Sequence, residues 1–268
     1  MSEPIRKFLN DPRVVSRVFY PRRFHIPQES ENLRVLRIEV EEGVELGGIL
    51  YLHDSPTKVP TMIYFHGNGE VALDYEGICS MFHQVGVNLA VFDFRAYGFS
   101  SGKLSYTALL EDPIPLYHKF QEWMKSEYPG KSATEFILMG RSLGSACASA
   151  LGAYKNAPCI TKLVFESGYS NTYDLMTRLF MIQHPNITPE TIAPFSNHTF
   201  QKLIQKPTLI IHGERDSIIP IEQGQQIYDC IPSNVPKRFV RIKYATHNDI
   251  LMYQNEYFEP LQDFIRKT

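Results

Sequence analysis

Residues 135–153 read EFILMGRSLGSACASALGA, and this stretch decides the fold. An apolar run at 135–139 leads into Gly140-Arg141-Ser142-Leu143-Gly144, and small residues follow at 145–153. The order predicts a strand, a tight turn and a helix, the setting in which the serine of a G-x-S-x-G pentapeptide becomes a nucleophile. Reversal from strand to helix within so few residues forces the central serine into a strained backbone conformation. Glycines at 140 and 144 remove the side chains that would collide there. The helix then points unsatisfied N–H groups at the reacting centre, where negative charge develops. Composition alone produces such a pentapeptide about one time in ten in a chain of this length, so its neighbours must carry the case.

Working outward, short apolar runs at 61–65, 88–94, 162–165, 208–211 and 238–243 read as strands covered on both faces, like 135–139 itself. Segments 33–40 and 45–52 flank a Glu42-Gly43 turn signal and predict an antiparallel hairpin that opens the sheet. Helical stretches at 73–84, 114–128, 145–155, 222–230 and 249–266 alternate with the later strands. The fold class is therefore α/β: a doubly wound, mostly parallel, eight-stranded sheet with an N-terminal antiparallel hairpin. Residues 1–268 are expected to form one domain. The alternation lapses only at about 169–202, where Thr188 and Pro189 read as an N-cap and first helical residue and Pro194 as a stop. That segment predicts a small helical lid.

The chain has 268 residues and a net charge of -2, enough length for one large core and no general bias toward nucleic acid or anionic membrane. Its first twenty residues hold no apolar run of signal-peptide or bilayer-spanning length, which predicts a cytoplasmic protein with no integral membrane segment. Cys79, Cys147, Cys159 and Cys230 are scattered without C-x-x-C spacing and read as core thiols. No metal or other cofactor is expected. Asn186-Ile187-Thr188 and Asn197-His198-Thr199 match the glycosylation acceptor pattern but read as loop asparagines. The sequence is silent on oligomeric state.

A serine hydroxyl is a poor nucleophile at neutral pH and needs an imidazole to take its proton and a carboxylate to hold that imidazole. Asp216 lies just past the apolar run 207–211, where a strand's C-terminal end meets the ligand crevice of an open α/β sheet. His247 stands after the next strand and before the final helix. Glu166 also ends a strand and is the other candidate acid. An oxyanion hole needs two backbone donors, each worth about 3 kcal/mol. Leu143, next to the serine, supplies one; the loop after 61–65, His66-Gly67-Asn68-Gly69-Glu70, should supply the other through Asn68. His66 reads as a brace for that loop, and Arg95 and Tyr97 as solvated loop residues.

Together HGNGE at 66–70, DFRAYGFSSG at 93–102, GRSLGS at 140–145, HGERDSIIP at 212–220 and THND at 246–249 resemble the α/β-hydrolase superfamily. The likeness is to its small-lidded serine branch of monoacylglycerol lipases, depalmitoylating thioesterases and other alpha/beta-hydrolase-domain proteins. It covers about residues 33–268, with the serine, acid and histidine in that family's order. The resemblance implies that Ser142, Asp216 and His247 form the triad and that Asn68 and Leu143 are the oxyanion donors.

The expected activity is cleavage of a small-molecule carboxylic ester or thioester through an acyl-enzyme. An amide or short-peptide substrate is the alternative, and a non-catalytic binding protein a third reading. In the lid, Leu175, Met176, Leu179 and Phe180 form a stripe at helical spacing. Met176 and Phe180, with Tyr169 and Tyr173, are the candidate lining of an acyl pocket.

Overall fold

Runs of β-branched and aromatic residues supply eight strands, and the computed structural model, which describes residues 3–185 and 187–266, joins them into one sheet. In chain order they are β1 (Leu33–Glu41), β2 (Val44–Tyr51), β3 (Thr61–Phe65), β4 (Asn88–Phe92), β5 (Phe136–Arg141), β6 (Ile160–Glu166), β7 (Thr208–Gly213) and β8 (Lys237–Ile242). Their spatial order is β1-β2-β4-β3-β5-β6-β7-β8. The pairs β1/β2 and β2/β4 are antiparallel, and all the others are parallel. This is the mostly parallel α/β architecture that the alternation of elements predicts.

Side-chain alternation along each strand feeds two cores. Ile63 and Phe65 of β3 and Leu138 of β5 enter one, while Met62, Tyr64, Ile137 and Met139 enter the other. The helices Pro113–Glu127 and Ser145–Gly152 close the first face with Leu116, Phe120 and Leu151. The helices Cys79–Gln84 and Gln254–Arg266 close the second with Phe82, Tyr257 and Leu261. Each such side chain stabilises the fold by about 1.5–3 kcal/mol through burial.

Local chemistry moves several boundaries. The stretch 73–84 is not one helix: it breaks into a 3-10 turn, Ala72–Tyr75, and the helix Cys79–Gln84. Gly77 lies in the gap, where its helix propensity is poor. The last helix begins only at Gln254, after a 3-10 turn at Ile250–Met252. Two helices absent from the sequence reading, Glu3–Leu9 and Pro12–Val18, precede the sheet. Asp11 caps the second by accepting from Arg13 N at 2.8 Å, and Ile5, Leu9, Val14, Val15 and Val18 of the pair are buried in the first core.

After β6 the lid is a series of short pieces. A helix at Thr172–Asp174 runs into a π turn at Leu175–Leu179, and Thr188 caps Pro189–Ile192 by accepting from Thr191 N. Pro194 lies in the following 3-10 turn, Ala193–Phe195. Asn186 lies outside the described residues. Asn197, read as a loop residue, is buried at the head of the helix Asn197–Gln201, donating to Tyr169 O at 3.0 Å. Among the described residues no helix is long and apolar enough to cross a membrane.

The helix after β5 packs against the sheet because its residues are small and all buried. A Cβ on Gly144 would overlap the backbone carbonyl of Phe65 in β3, and one on Gly140 would overlap the carbonyl of Gly144. Both obstacles are main chain and cannot swing aside. Gly144→Ala should therefore cost about 1–3 kcal/mol, read as a lower urea midpoint; an unchanged midpoint would show that the sheet and helix tolerate wider spacing.

Candidate active site

β5 ends at Arg141, and a 3-10 turn, Ser142–Gly144, passes the chain into the helix Ser145–Gly152. Ser142 takes a φ of 50°, in the left-handed region that non-glycine residues avoid. Holding it there costs about 1–3 kcal/mol and is tolerated where surrounding structure fixes the turn. Ser145 Oγ does part of that fixing by donating to Ser142 O at 2.7 Å.

The structure brings three distant residues together. His247 Nε2 lies 2.9 Å from Ser142 Oγ, and its Nδ1 lies 2.7 Å from Asp216 Oδ2. A carboxylate can only accept, so Nδ1 carries the proton and Nε2 is free to accept from the serine hydroxyl. Asp216 is itself held in place: its Oδ1 accepts from Ile218 N at 3.0 Å and Ile219 N at 2.8 Å. A second imidazole, His212, stands 3.4 Å from Asp216 Oδ2. Burial would raise the Asp216 pKa, but His212, His247 and the Ile219 amide together hold it well below the ordinary carboxylate value.

Arg141, one residue before the serine, ties the site's loops together. Its Nε donates to Glu166 Oε1 at 2.9 Å, its Nη1 pairs with Glu70, and its Nη2 donates to the carbonyl of His247 at 2.9 Å. Glu166 is fully buried and also accepts from Tyr64 (3.2 Å) and Tyr257 (2.5 Å). The alternative acid is thus consumed by Arg141 and two tyrosines. Glu70 accepts from Gly67 N and Tyr75, each at 2.8 Å, which fixes the loop 66–70. Although burial opposes its charge, Arg141 and His66 keep the Glu70 pKa below its ordinary value.

His66 braces that loop from beneath. Its Nδ1 meets Gly67 O at 2.7 Å and its Nε2 lies 3.2 Å from Asp93 Oδ1. Burial disfavours the imidazolium, yet Asp93 and the Gly67 carbonyl raise the His66 pKa above its usual value.

The Asn68 side chain serves the fold, which leaves its backbone as the group the sequence nominates. Its side chain is unavailable to a substrate: Nδ2 donates to Val18 O at 2.7 Å, and Oδ1 accepts from Tyr20 N at 3.0 Å and the Tyr97 hydroxyl at 2.6 Å. Only its backbone N–H remains a candidate oxyanion donor, beside that of Leu143. Both residues line the cavity at Ser142. Tyr97 is no solvated residue; it is fully buried, and Arg95 pairs with Asp112 at 2.6 Å.

The cavity over Ser142 and His247 measures about 230 Å³. Tyr169 and Phe180 line it as the sequence suggests, joined by Leu175, Leu179, Ile218 and Ile219. Met176 does not line it: the π turn sends this side chain into the core, fully buried. Tyr173 faces a separate groove with Ser170, Pro189 and Asp229. Tyr20, from the unforeseen N-terminal segment, is a further lining residue. No carboxylate is among the residues that line the cavity. Among the described residues no group of three or more His, Cys, Asp or Glu is gathered as a metal cage.

A family model described as serine aminopeptidase, S33, matches residues 57–194. The chain is 29% identical over 252 residues to Protein bem46 of Schizosaccharomyces pombe, covering 92% of this chain and 82% of that one. It is 28% identical over 248 residues to the alpha/beta hydrolase domain-containing protein 17C of Xenopus laevis, covering 89% and 71%. An esterase of Pyrococcus furiosus has the same fold, with a TM-score of 0.70 at 22% identity over 92% of this chain and 98% of that chain.

Two substitutions probe this architecture. Arg141→Met strands the buried Glu166 without its cation and should cost about 3–5 kcal/mol; a urea midpoint equal to wild type would show the cluster to be dispensable. Asp216, its pKa depressed by folding, stabilises the native state above its unfolded pKa of about 4 and loses that contribution as pH falls. Wild type should therefore exceed Asp216→Asn in urea midpoint near pH 7, with the gap beginning to narrow only as pH falls below about 4. A gap that widens on acidification would contradict the depressed pKa.

Proposed function

Because the chain belongs to the serine aminopeptidase S33 family and is an α/β-hydrolase by fold, we propose that it is a serine hydrolase of carboxylic esters or thioesters. One observation carries the reading: the unbroken chain Asp216–His247–Ser142, at 2.7 and 2.9 Å, opens onto a cavity whose lining includes the apolar side chains of Leu175, Leu179, Phe180, Ile218 and Ile219 beside the polar Arg141 and Asn248. In the proposed mechanism Ser142 Oγ attacks the acyl carbon while its proton passes to His247 Nε2. Asp216 stabilises the imidazolium that forms. The oxyanion accepts from the backbone N–H groups of Leu143 and Asn68. Collapse of the intermediate breaks the bond to the leaving alcohol or thiol, which takes the proton from His247. Water, activated by the same imidazole, then releases the acid from Ser142.

The substrate is proposed to be an acyl compound with an uncharged, short to medium chain. About 230 Å³ lies below the roughly 300–1,000 Å³ typical of clefts for drug-sized ligands. An aminopeptidase would need a carboxylate to hold the substrate ammonium, and none lines this cavity. That favours esters over the amides the family's name suggests.

On a series of p-nitrophenyl esters from acetate to palmitate, turnover should be greatest for short to medium chains and should exceed that of aminoacyl p-nitroanilides. Ser142→Ala should lower kcat by about 10³-fold or more and abolish labelling by a fluorophosphonate. Persistent turnover in that variant, or a preference for the anilides, would refute the proposal.

A further inference from the structure

The N-terminal segment reaches the site from outside the canonical run of strands and is fastened to it on two sides. On one side Val18 and Tyr20 are hydrogen-bonded through their backbones to the Asn68 side chain, and Arg22 Nη1 donates to Gly69 O at 3.1 Å. On the other, Arg17 Nη1 donates to Met181 O of the lid at 2.9 Å, and the Phe8 and His184 rings lie 4.6 Å apart. Behind these contacts Val14, Val15, Val18 and Phe19 are packed in the core. The segment is thus built in place and cannot drift across the pocket as a loose tail would.

Tyr20 belongs to the first of these fastenings through its backbone N–H. The residue lines the same cavity as Ser142 and Phe180 yet is 60% exposed, and its hydroxyl makes no hydrogen bond among the described residues. An aromatic residue left half in water at the border of a cavity gains burial when an apolar chain passes beside it. The backbone at Val18, Tyr20 and Arg22 is hydrogen-bonded, which fixes the point from which the Tyr20 side chain leaves the chain.

We propose that the N-terminal segment is a fixed wall of the acyl site, in which Tyr20 limits the length of chain that Ser142 can process. Asn68 is the positioning residue that joins this wall to the loop 66–70. The inference rests on the esterase reading above. In this reading a chain longer than the cavity leaves it beside Tyr20, so removing the ring opens a path for longer chains. Releasing the segment from Asn68 does the same.

The test compares kcat/KM for p-nitrophenyl dodecanoate and butyrate. Tyr20→Ala should raise the dodecanoate-to-butyrate ratio about fivefold or more, Tyr20→Phe should keep the wild-type ratio, and Asn68→Ala should shift it in the same direction as Tyr20→Ala. A merely structural Asn68 would lower both esters alike. Phe24→Ala, on the same segment but outside the cavity, serves as the control. A second readout needs no turnover: in the Ser142→Ala protein, the rise in Tm produced by dodecanoate should grow when Tyr20→Ala is added. Equal ratios together with equal Tm shifts would overturn the wall. Failure of wild type to label with a fluorophosphonate would instead overturn the esterase reading, and the Tm comparison would still decide the role of Tyr20.

Discussion

The buried guanidinium of Arg141 is the contact on which the rest of the site depends. It lies at the end of β5, beside the residue proposed as nucleophile, and it reaches three separate elements: Glu70 in the loop after β3, Glu166 at the end of β6, and the main chain of His247 after β8. Arginine suits the position because its planar fork offers several donors in fixed directions and stays charged when desolvated. Burial alone would weaken that charge, but Glu70 and Glu166 strengthen it. Such a cluster adds little net stability compared with apolar packing. Its effect is geometric: the loops bearing His247 and Asn68, the proposed base and oxyanion donor, are referenced to the same side chain.

Sheet topology makes this convergence possible. In parallel strands the C-terminal ends lie at one edge, so loops after β3, β5, β6 and β7 open into a common crevice. The small helix after β5 lets that strand approach β3 closely, since Gly144 packs against the Phe65 carbonyl. The strained φ of Ser142 follows from the same crowding. Strain, close packing and the ionic cluster therefore act on one turn, and each is sustained by the others.

Much of this was legible in the sequence because its signals are local. Six strands follow from short segments rich in apolar residues and the first two from the hairpin signal at Glu42-Gly43, and Ser142, Asp216 and His247 are recognisable because each lies in the segment after a strand. What escaped was non-local. The N-terminal helices are seven residues each, too short to be stable alone, and form through burial of Ile5, Leu9 and Val14 against the core. The side chain of Asn68 is engaged by residues 48 and 50 positions earlier, a pairing that no spacing rule reveals. A 3.6-residue period places Met176 on the pocket face, whereas the segment winds as a π turn, which changes the face each residue occupies. Tyr97 looked like a surface residue because its neighbours are loop formers, yet its ring fills the space beneath the loop 66–70 and packs 5.6 Å from His66.

The account turns on a covalent intermediate at one side chain. Mixing the protein with a slowly deacylating activated ester, quenching in acid and mapping the adduct by mass spectrometry tests that claim most directly. The account predicts one acyl group, on the peptide that contains Ser142, with none detected on the Ser142→Ala protein. Turnover of the ester with no acylated protein at any time, or an adduct on another residue, would contradict it.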